Sequence, residues 1–306
     1  MRTDAPTLSD STSSRDALLV LGAFTVGQAI QVDNGVIHPA ALGWLCLSII
    51  CFTAAMMPAI HRRFTLFSKI NTTWLLLACM SIQWAELLVW DIRWGSRTAA
   101  MVGCLLLVVV GVMLSFRVAR WGLLLIVLGH FFAGALTIQS SPKPGIDVWY
   151  FQDESTAALL HGRYPYAVRF RDLYGPETGF YSPGMSVNGW LTYSFPYPPL
   201  MLLTTAPGRF FGDVRWAHLV ALELSAILIV AAAGFGGRSI LATAMLLLCP
   251  RSLLVIKVGW TEPMVLLMLA AVIYTACRAP RWLWFSFGLL LAIKQYTILA
   301  APLLLL

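Results

Sequence analysis

The sequence predicts an all-α polytopic membrane protein, with a bundle of about nine or ten transmembrane or re-entrant helices and one long outer loop. Of its 306 residues, 59% are hydrophobic and only 11% are charged, whereas soluble domains are roughly half apolar and a quarter charged. The apolar residues form continuous runs, and several runs approach the ~20 residues that a helix needs to cross hydrocarbon. They do not alternate with period two, which argues against a transmembrane β-barrel.

The apolar runs lie on either side of the long loop. They cover residues 17–32, 39–57, 72–90, 99–116, 121–138, 198–211, 216–234, 239–258, 263–277 and 282–306. The stretch before the first run, 1–16, is polar, and no small-residue cleavage pattern follows that run. We therefore interpret the first run as an anchor and not as a cleaved signal peptide.

The formal charge of +7 is a guide to orientation here and gives no reason to expect a nucleic-acid partner. Four loops carry the basic residues Arg62, Arg63, Lys69, Arg117, Arg120, Arg209, Arg215, Arg278 and Arg281. The positive-inside rule places these loops in the cytoplasm, although Arg93 and Arg97 then fall in an outer loop. The sequence thus predicts a multi-pass protein of the cell membrane, with a cytoplasmic tail at 1–16 and an extracytoplasmic loop at 139–197.

The segment 239–261 does not fit a simple crossing. Its first run is too short to cross, and Pro250 and Arg251 interrupt it. If Arg278 and Arg281 lie in the cytoplasm, the number of membrane crossings is consistent only when this segment re-enters the membrane as two half-helices. Such broken helices are tolerated where they face protein or a water-filled cavity. We find no fixed-period repeat and no soluble domain, so 1–306 is predicted to be a single transmembrane domain. The apolar end after Pro302 predicts a chain cut from a longer protein.

The loop 139–197 contains a short predicted helix. Asp147 precedes an apolar-periodic stretch and Gly162 follows it, which are helix start and stop signals and predict a helix over 148–161. On this helix Tyr150 and Glu154 share one stripe. Its aromatic residues indicate that the helix lies at the membrane interface. An ordered loop of this length is usually functional.

Several motifs of the loop resemble those of a known enzyme family. The segments Asp147-Val148-Trp149-Tyr150, 157–162, Pro165-Tyr166 and Tyr197-Pro198-Pro199-Leu200 are similar to the first outer loop of membrane glycosyltransferases of the C-type (GT-C) fold. They are closest in character to the polyprenyl-phosphate-mannose-dependent mannosyltransferases of glycosyltransferase family 87. Gly259, Glu262 and Lys294-Gln295-Tyr296 also fall where that family has comparable residues, so the resemblance covers about 145–302. The chain departs from the pattern at Arg163-Tyr164 and at Trp260.

The resemblance implies transfer of a hexose, mannose by preference, from a polyprenyl-phosphate sugar to a lipid-linked glycan or glycolipid, with inversion, on the extracytoplasmic face. It implies no cofactor. Some enzymes of the C-type fold use a divalent ion, but no Asp-x-Asp arrangement occurs at Asp147 and the histidines lack ligand partners at useful spacing, so a metal is not favoured. The implied partners are the lipid-phosphate sugar, the acceptor and membrane lipid.

The carboxylate that opens the loop helix is the candidate catalytic base. The family uses an acidic residue in this loop, and position matches it to Asp147. A lipid-phosphate sugar already carries a good leaving group, so inverting transfer needs one carboxylate to take the acceptor proton. A hydrolase would need a carboxylate pair at a defined separation, and Asp147 and Glu154 lie about 10 Å apart along a helix. The alternative for Asp147 is a helix N-cap, and Asp153 and Glu154 are the next candidates for the base.

Other polar side chains are candidates for holding the substrate. Lys294 lies well inside an apolar run, an expensive position that indicates function unless the side chain snorkels to the interface. Glu262 begins an apolar run, where it either orients sugar hydroxyls or stabilises the helix dipole. The arginines Arg163, Arg169 and Arg171 suit phosphate. The set assigned to substrate binding is Tyr150, Glu154, Arg163, Tyr166, Tyr197, Lys257, Glu262, Lys294 and Gln295.

Two other functions stay open. A transporter or flippase of a lipid or sugar would bind its substrate at the broken segment around Pro250, and would be expected to show internal repeats. A catalytically silent membrane subunit is the third interpretation.

Overall fold

The structure is a computed structural model that describes residues 14–33, 38–57, 71–94, 98–249 and 251–305. Parts of several predictions lie outside these residues. They are the tail at 1–13, the basic residues Arg62, Arg63, Lys69 and Arg97, and the breaker Pro250.

The described residues are almost entirely helical. The α-helices are α1 (Ser14–Asp33), α2 (Pro39–Met56), α3 (Thr72–Trp94), α4 (Thr98–Ser115), α5 (Ala119–Ser140), α6 (Asp147–Leu160), α7 (Pro199–Arg209), α8 (Arg215–Ala233), α9 (Gly237–Leu247), α10 (Ser252–Val258), α11 (Glu262–Arg278) and α12 (Leu283–Ile293). Short 3₁₀ helices cover Pro165–Ala167, Pro176–Thr178, Pro280–Trp282 and Gln295–Leu305, and the strands β1 (Ser186–Val187) and β2 (Trp190–Leu191) form a hairpin.

Four of these helices are long and apolar enough to cross a membrane, namely α2, the Thr72–Val89 part of α3, α5 and α8. The bent pair of α9 and α10 makes a fifth if it counts as one span, and Ala99–Ser115 and Pro280–Ile293 are shorter apolar helices. The helical, multi-pass character that the sequence predicts is therefore confirmed for the described residues. The number of nine or ten crossings stays a prediction.

The chain forms two compact units, Met1–Trp94 with Ile240–Ser252, and Gly95–Ser239 with Leu253–Leu306. In the first unit, α1 packs along α2, and Ser48 donates a hydrogen bond of 2.9 Å to the carbonyl of Gly22. The Gln28 amide donates to the Glu86 carboxylate at 2.9 Å between α1 and α3. This bond provides a polar partner for an acidic side chain within an apolar helix.

The second unit contains the long loop and rests on a close pair of helices, α4 and α5. A Cβ atom at Gly122 would lie 2.6 Å from Ser115, and one at Gly129 would lie 2.7 Å from the carbonyl of Cys104. Only glycine fits at these contacts, and small residues of this kind let membrane helices pack backbone to backbone. Helix α8 packs on α5, where Gly134 faces Leu219.

Helix α7 does not cross to the far end of the unit. It has 11 residues and is about 16 Å long, well short of the ~30 Å of hydrocarbon. At its end, Arg209 forms an ion pair of 2.5 Å with Asp153 of α6, and Arg215 donates to the carbonyl of Ser141 at 2.8 Å. Both arginines therefore lie at the same end as the loop. The prediction that they lie on the opposite side, with 198–211 as a crossing, is wrong.

Helices α9 and α10 are bent by 44° at their break. The first residue of α9, Gly237, would place a Cβ 3.8 Å from Phe116, beside the start of α5. After the break, the carbonyl of Lys257 accepts a hydrogen bond of 2.7 Å from Arg215, beside the end of α5. The bend is compatible with a broken span or with a re-entrant loop, so the re-entrant pair that the sequence predicts for 239–261 stays a prediction.

Basic residues of α5 and α11 lie close together at one end of the second unit. The Arg120 guanidinium lies over the Phe235 ring at 5.8 Å, and Arg278 donates to the carbonyl of Ala232 at 3.0 Å. The basic residues before α5 and at the end of α11 therefore share one end of the unit, opposite the loop. Their grouping agrees with the positive-inside pattern.

The last two helices form a hairpin that ends beside the loop. Their core contains Met264, Met268, Leu290 and Ile293. The apolar run that the sequence places over 282–306 is interrupted at Lys294, whose backbone is extended with φ −152° and ψ 148°. Lys294 therefore lies at a helix end and not inside a helix.

The fully buried side chain of Arg215 joins four chain segments. Its Nε and Nη2 donate to the two oxygens of Asp213 at 3.0 and 2.7 Å, and Nη2 and Nη1 donate to the carbonyls of Ser141 and Lys257 at 2.8 and 2.7 Å. The Trp149 ring lies 5.9 Å from the guanidinium, and its Nε1 donates to Asp213 at 3.3 Å. We call these five residues the Arg215 junction.

Gly259 packs against the Arg215 junction. Its φ is +68°, and a Cβ there would lie 3.1 Å from Trp149 and 3.4 Å from the Cγ of Arg215. The carbonyl of Gly259 accepts a hydrogen bond of 2.8 Å from the Gln152 side-chain amide. The turn between α10 and α11 thus needs glycine both for its backbone angle and for space.

We expect Gly259→Ala to destabilise the protein more than Gly162→Ala does. Gly162 has a similar φ of +67°, but a Cβ added there would have no atom within 4 Å, so its substitution costs only the backbone strain, about 1–2 kcal/mol. Crowding against Trp149 adds about 1–3 kcal/mol at Gly259. Thermal unfolding of both variants in the same detergent measures the difference, and equal melting temperatures would contradict the crowding.

Candidate functional site

Asp147 is the first residue of α6, and its half-buried carboxylate is held by two tyrosines of the loop. Tyr174 donates to Oδ1 at 3.1 Å, and Tyr181 donates to Oδ2 at 3.0 Å. The backbone N–H of Val148 also donates to Oδ1, at 2.8 Å. These three bonds fix the carboxylate at the start of the helix.

The loop helix is confirmed, since the prediction of 148–161 agrees with α6. The N-cap position belongs to Ile146, which makes no side-chain capping bond. Asp147 is therefore not the N-cap residue, which was the alternative interpretation of its role. Its carboxylate bonds to the loop tyrosines and to the next residue instead.

The two tyrosines are protonated donors at neutral pH. Burial, followed by the negative charge of Asp147, raises the pKa of Tyr174 to about 12. The same two causes raise the pKa of Tyr181 further. Burial also raises the pKa of Tyr193, whose ring packs against that of Tyr181 at 6.4 Å between centroids. A chain of phenols thus leads away from the carboxylate of Asp147.

Tyr197 lies beside an ion pair of Lys294 and Glu262. Burial raises the pKa of Tyr197, and the charges of Glu262 and Asp147 raise it further. Lys294 donates to Glu262 at 2.5 Å, with its side chain 13% exposed and that of Glu262 48% exposed. The Lys294 ammonium lies 5.7 Å from the Tyr197 ring and 5.1 Å from the Tyr296 ring. The site thus combines two carboxylates with one shielded cation.

A cleft of about 440 Å³ lies beside Tyr197, and Tyr166, Pro196 and Gln295 help to line it. Tyr166 donates to the carbonyl of Tyr197 at 2.8 Å, and the Gln295 amide donates to the carbonyl of Pro196. Of the residues predicted to bind substrate, the structure therefore brings together Tyr166, Tyr197, Glu262, Lys294 and Gln295.

The other predicted residues are placed differently. The ring of Tyr150 packs on Phe170 at 5.7 Å, within an apolar cluster. Glu154 is exposed two turns along α6 from Asp147, and Arg163 is exposed beyond the far end of that helix. The carbonyl of Lys257 belongs to the Arg215 junction. These positions give no direct contact with the Asp147 carboxylate.

Sequence reasoning missed the tyrosines that hold Asp147. Tyr174 opens a Tyr-Gly-Pro turn and Tyr181 precedes Ser182, Pro183 and Gly184, so both are aromatic residues next to turn-forming residues. That feature was the available signal. Their separations from Asp147, 27 and 34 residues, are set by the folding of the loop.

Asp153 is also more than a solvated helix charge. It is buried and pairs with Arg209 at 2.5 Å. Burial raises the pKa of Asp153, and the Arg209 guanidinium opposes that shift only partly. The pair joins α6 to α7 and thereby supports the helix that carries Asp147.

In the part of the chain that the structure describes, no three His, Cys, Asp or Glu side chains lie together in a way that could hold a metal ion. Comparisons with protein-family models, with curated proteins and with solved structures found no match. The geometry of the site is therefore the basis for the function. It offers a fixed carboxylate, a shielded cation and a cleft lined by aromatic rings.

We expect Arg209→Met to cost more stability than Asp153→Asn. Asparagine removes the buried charge, so its cost should stay within about 1 kcal/mol, whereas Arg209→Met leaves a buried carboxylate unpaired at about 1–3 kcal/mol. Thermal unfolding in detergent at pH 7.5 measures both changes.

The deficit of Arg209→Met should shrink on acidification. The folded-state pKa of Asp153 lies above its ordinary value of 3.8, so the stability linked to its protonation is present below 3.8 and is lost as pH rises through the folded value. Without Arg209, no charge that the structure describes opposes the effect of burial on Asp153, so the stability of the variant falls more steeply as pH rises. A deficit that is the same at pH 5 and pH 7.5 would contradict the burial of the Asp153 charge.

Proposed function

We propose that this chain is a membrane glycosyltransferase of the C-type fold that transfers a hexose, mannose by preference, from a polyprenyl-phosphate sugar to a lipid-linked glycan or glycolipid. Transfer inverts the anomeric carbon on the extracytoplasmic face, and Asp147 is the general base. The observation that carries the proposal is the Asp147 carboxylate, held by Tyr174 and Tyr181; the pair of Lys294 and Glu262 beside Tyr197 adds a cation to the same compact unit.

The carboxylate suits the role of a base. The acceptor oxygen attacks the anomeric carbon, the bond from that carbon to the phosphate oxygen breaks, and the acceptor proton passes to Asp147. Oδ1 accepts two hydrogen bonds, whereas Oδ2 accepts one from the residues that the structure describes. Oδ2 therefore keeps a lone pair for the acceptor hydroxyl, while the tyrosines fix its direction.

The leaving phosphate needs a cation, and Lys294 supports that role. Its ammonium is largely shielded from solvent, so its attraction to a phosphate is stronger than that of an exposed lysine. Glu262 holds the ammonium in place and is itself half exposed. A lipid phosphate would then share Lys294 with Glu262 at the end of the helix hairpin.

A second candidate is a lipid or sugar transporter, and the bent pair of α9 and α10 favours it. Transporters build substrate sites from discontinuous helices, and this pair bends by 44°. The transfer assay below separates the two functions.

Asp147→Asn should reduce transfer by about 10²-fold or more, because a general base contributes about 10²–10⁴-fold. The measurement is the transfer of radiolabelled mannose from polyprenyl-phosphate-mannose into lipid-extractable product, in membranes with equal amounts of each variant. Glu177→Gln changes an exposed loop carboxylate and is the matched control. Undiminished transfer in Asp147→Asn would move the base to Asp153 or Glu154. Absence of transfer by the unmodified protein, with other sugar donors also tried, would favour a transporter or a silent subunit.

Tyr181→Phe should lower the rate of transfer by about tenfold, because one hydrogen bond to a charged group contributes about 1.5 kcal/mol or more. The loss should appear in kcat, since the hydroxyl positions the base and contacts no donor group in this scheme. Tyr274→Phe, a half-buried tyrosine within α11, is the control. A Tyr181→Phe enzyme with full kcat would show that Tyr181 does not position Asp147.

A further inference from the structure

The loop contains a small sheet that displays two arginines on one face. Strands β1 and β2 are joined by Asn188-Gly189, whose φ values are 54° and 75°, the left-handed angles that a type I′ turn requires. Arg171 bridges to Trp190 in antiparallel register, and the N–H of Leu191 donates to the carbonyl of Phe170 at 2.9 Å. Residues 170–172 therefore act as a third strand.

Strand alternation separates the charges from the core. Phe170 is fully buried, so its neighbours Arg169 and Arg171 point to the other face, where both are exposed. Their guanidinium carbons lie 5.4 and 5.2 Å from the Trp190 ring. The indole thus holds two guanidinium groups close together, which limits the rotamer freedom that they would lose on binding a ligand.

The two positive charges are not neutralised locally. Neither arginine forms an ion pair with a carboxylate among residues 14–33, 38–57, 71–94, 98–249 and 251–305. The carboxylate that follows them in sequence, Asp172, accepts the N–H groups of Tyr174 and Gly175 at 2.9 Å each. It is committed to the turn, so both guanidinium forks remain available to an anion.

A cavity of about 530 Å³ lies beside this face. Arg169, Asn188, Thr192, Tyr193 and Ser194 contribute polar groups to its lining. A space of this size accommodates a phosphate or a sugar carrying one. Hydroxyl and amide groups next to a guanidinium fork are the groups that such a ligand needs.

The cavity is connected to the candidate base through two tyrosines. Tyr193 lines the cavity, and its ring packs edge-to-face with that of Tyr181 at 6.4 Å between centroids; the Tyr181 hydroxyl donates to Asp147 at 3.0 Å. Lys294 does not line this cavity and lies 5.7 Å from the Tyr197 ring. The loop therefore carries a second cationic position near the base, separate from the one assigned to the donor phosphate.

We infer that Arg169 and Arg171, held by Trp190, form a binding site for an anionic group of the acceptor, a phosphate or a carboxylate on the glycan or glycolipid that receives the sugar. The identity of the ligand as the sugar acceptor rests on the proposed function. The presence of an anion site rests on the sheet and the cavity alone. The guanidinium groups bind the anion, and Asn188, Thr192 and Ser194 bind neighbouring hydroxyls. The acceptor hydroxyl is then directed towards Asp147.

The first test is binding of inorganic pyrophosphate to the purified protein in neutral detergent, measured by calorimetry at low salt. The double variant Arg169→Gln/Arg171→Gln should bind at least about tenfold more weakly, because each charge-assisted hydrogen bond contributes that factor or more. The variant Arg169→Lys/Arg171→Lys should recover part of the loss, since it keeps the charge without the fork. Lys143→Gln removes an exposed positive charge from the same loop and should leave binding unchanged.

The second test is the charge of the product. Labelled product from the transfer assay, separated from the donor by thin-layer chromatography, should be retained on an anion-exchange resin, and its yield should fall about tenfold in the double glutamine variant. Neutral product, or pyrophosphate binding equal in the double variant and the unmodified protein, would overturn the anion site and leave the glycosyltransferase intact. Arginine-dependent binding of pyrophosphate without transfer by the unmodified protein would support the anion site and overturn the proposed function.

Discussion

The buried guanidinium of Arg215 is the interaction on which the loop end of the second unit depends. A charge taken out of water is costly unless every donor finds an acceptor, and Arg215 meets this condition with one carboxylate and the carbonyls of Ser141 and Lys257. Each acceptor belongs to a different segment, so the segments are held in one relative position. Removing the Asp213 carboxylate would leave buried donors of Arg215 unpaired.

The position of Asp147 follows from this constraint. Ser141 fixes the end of α5, and Trp149 lies against the guanidinium at 5.9 Å, so the first turn of α6 has little freedom. The pair of Asp153 and Arg209 fixes the same helix one turn later. Tyr174 and Tyr181 then complete the surroundings of the carboxylate from the loop. A base held from three directions needs little reorganisation before a proton transfer.

Composition, run length and local signals predict much of this structure. Asp147 and Gly162 locate the loop helix to within a residue because helix ends are encoded locally. Run length fails at α7, because an apolar run containing Pro207 looks the same whether it crosses or stays at one end. It also fails at Lys294, where the chain leaves the helix.

Long-range contacts could not be predicted in this way. Arg215 and its partner Ser141 are 74 residues apart in the chain, and local sequence patterns do not indicate which distant residues meet. The predicted grouping of Arg120 and Arg278 at one end is correct all the same, because both lie beside the end of α8 and the segment that follows it.

The hydrogen bond between Arg215 and the carbonyl of Ser141, 2.8 Å long, closes the segment between them into a ring. Everything from the loop helix to the end of α7 leaves the membrane helices and returns to them at one place. Added length inside such a closed excursion costs little free energy, since loop-closure entropy grows only slowly with length. As long as Trp149 and Asp213 remain at the Arg215 junction, the rest of the excursion can therefore change in length while α5 and α8 keep their positions, and new recognition surfaces can arise on an unchanged membrane scaffold.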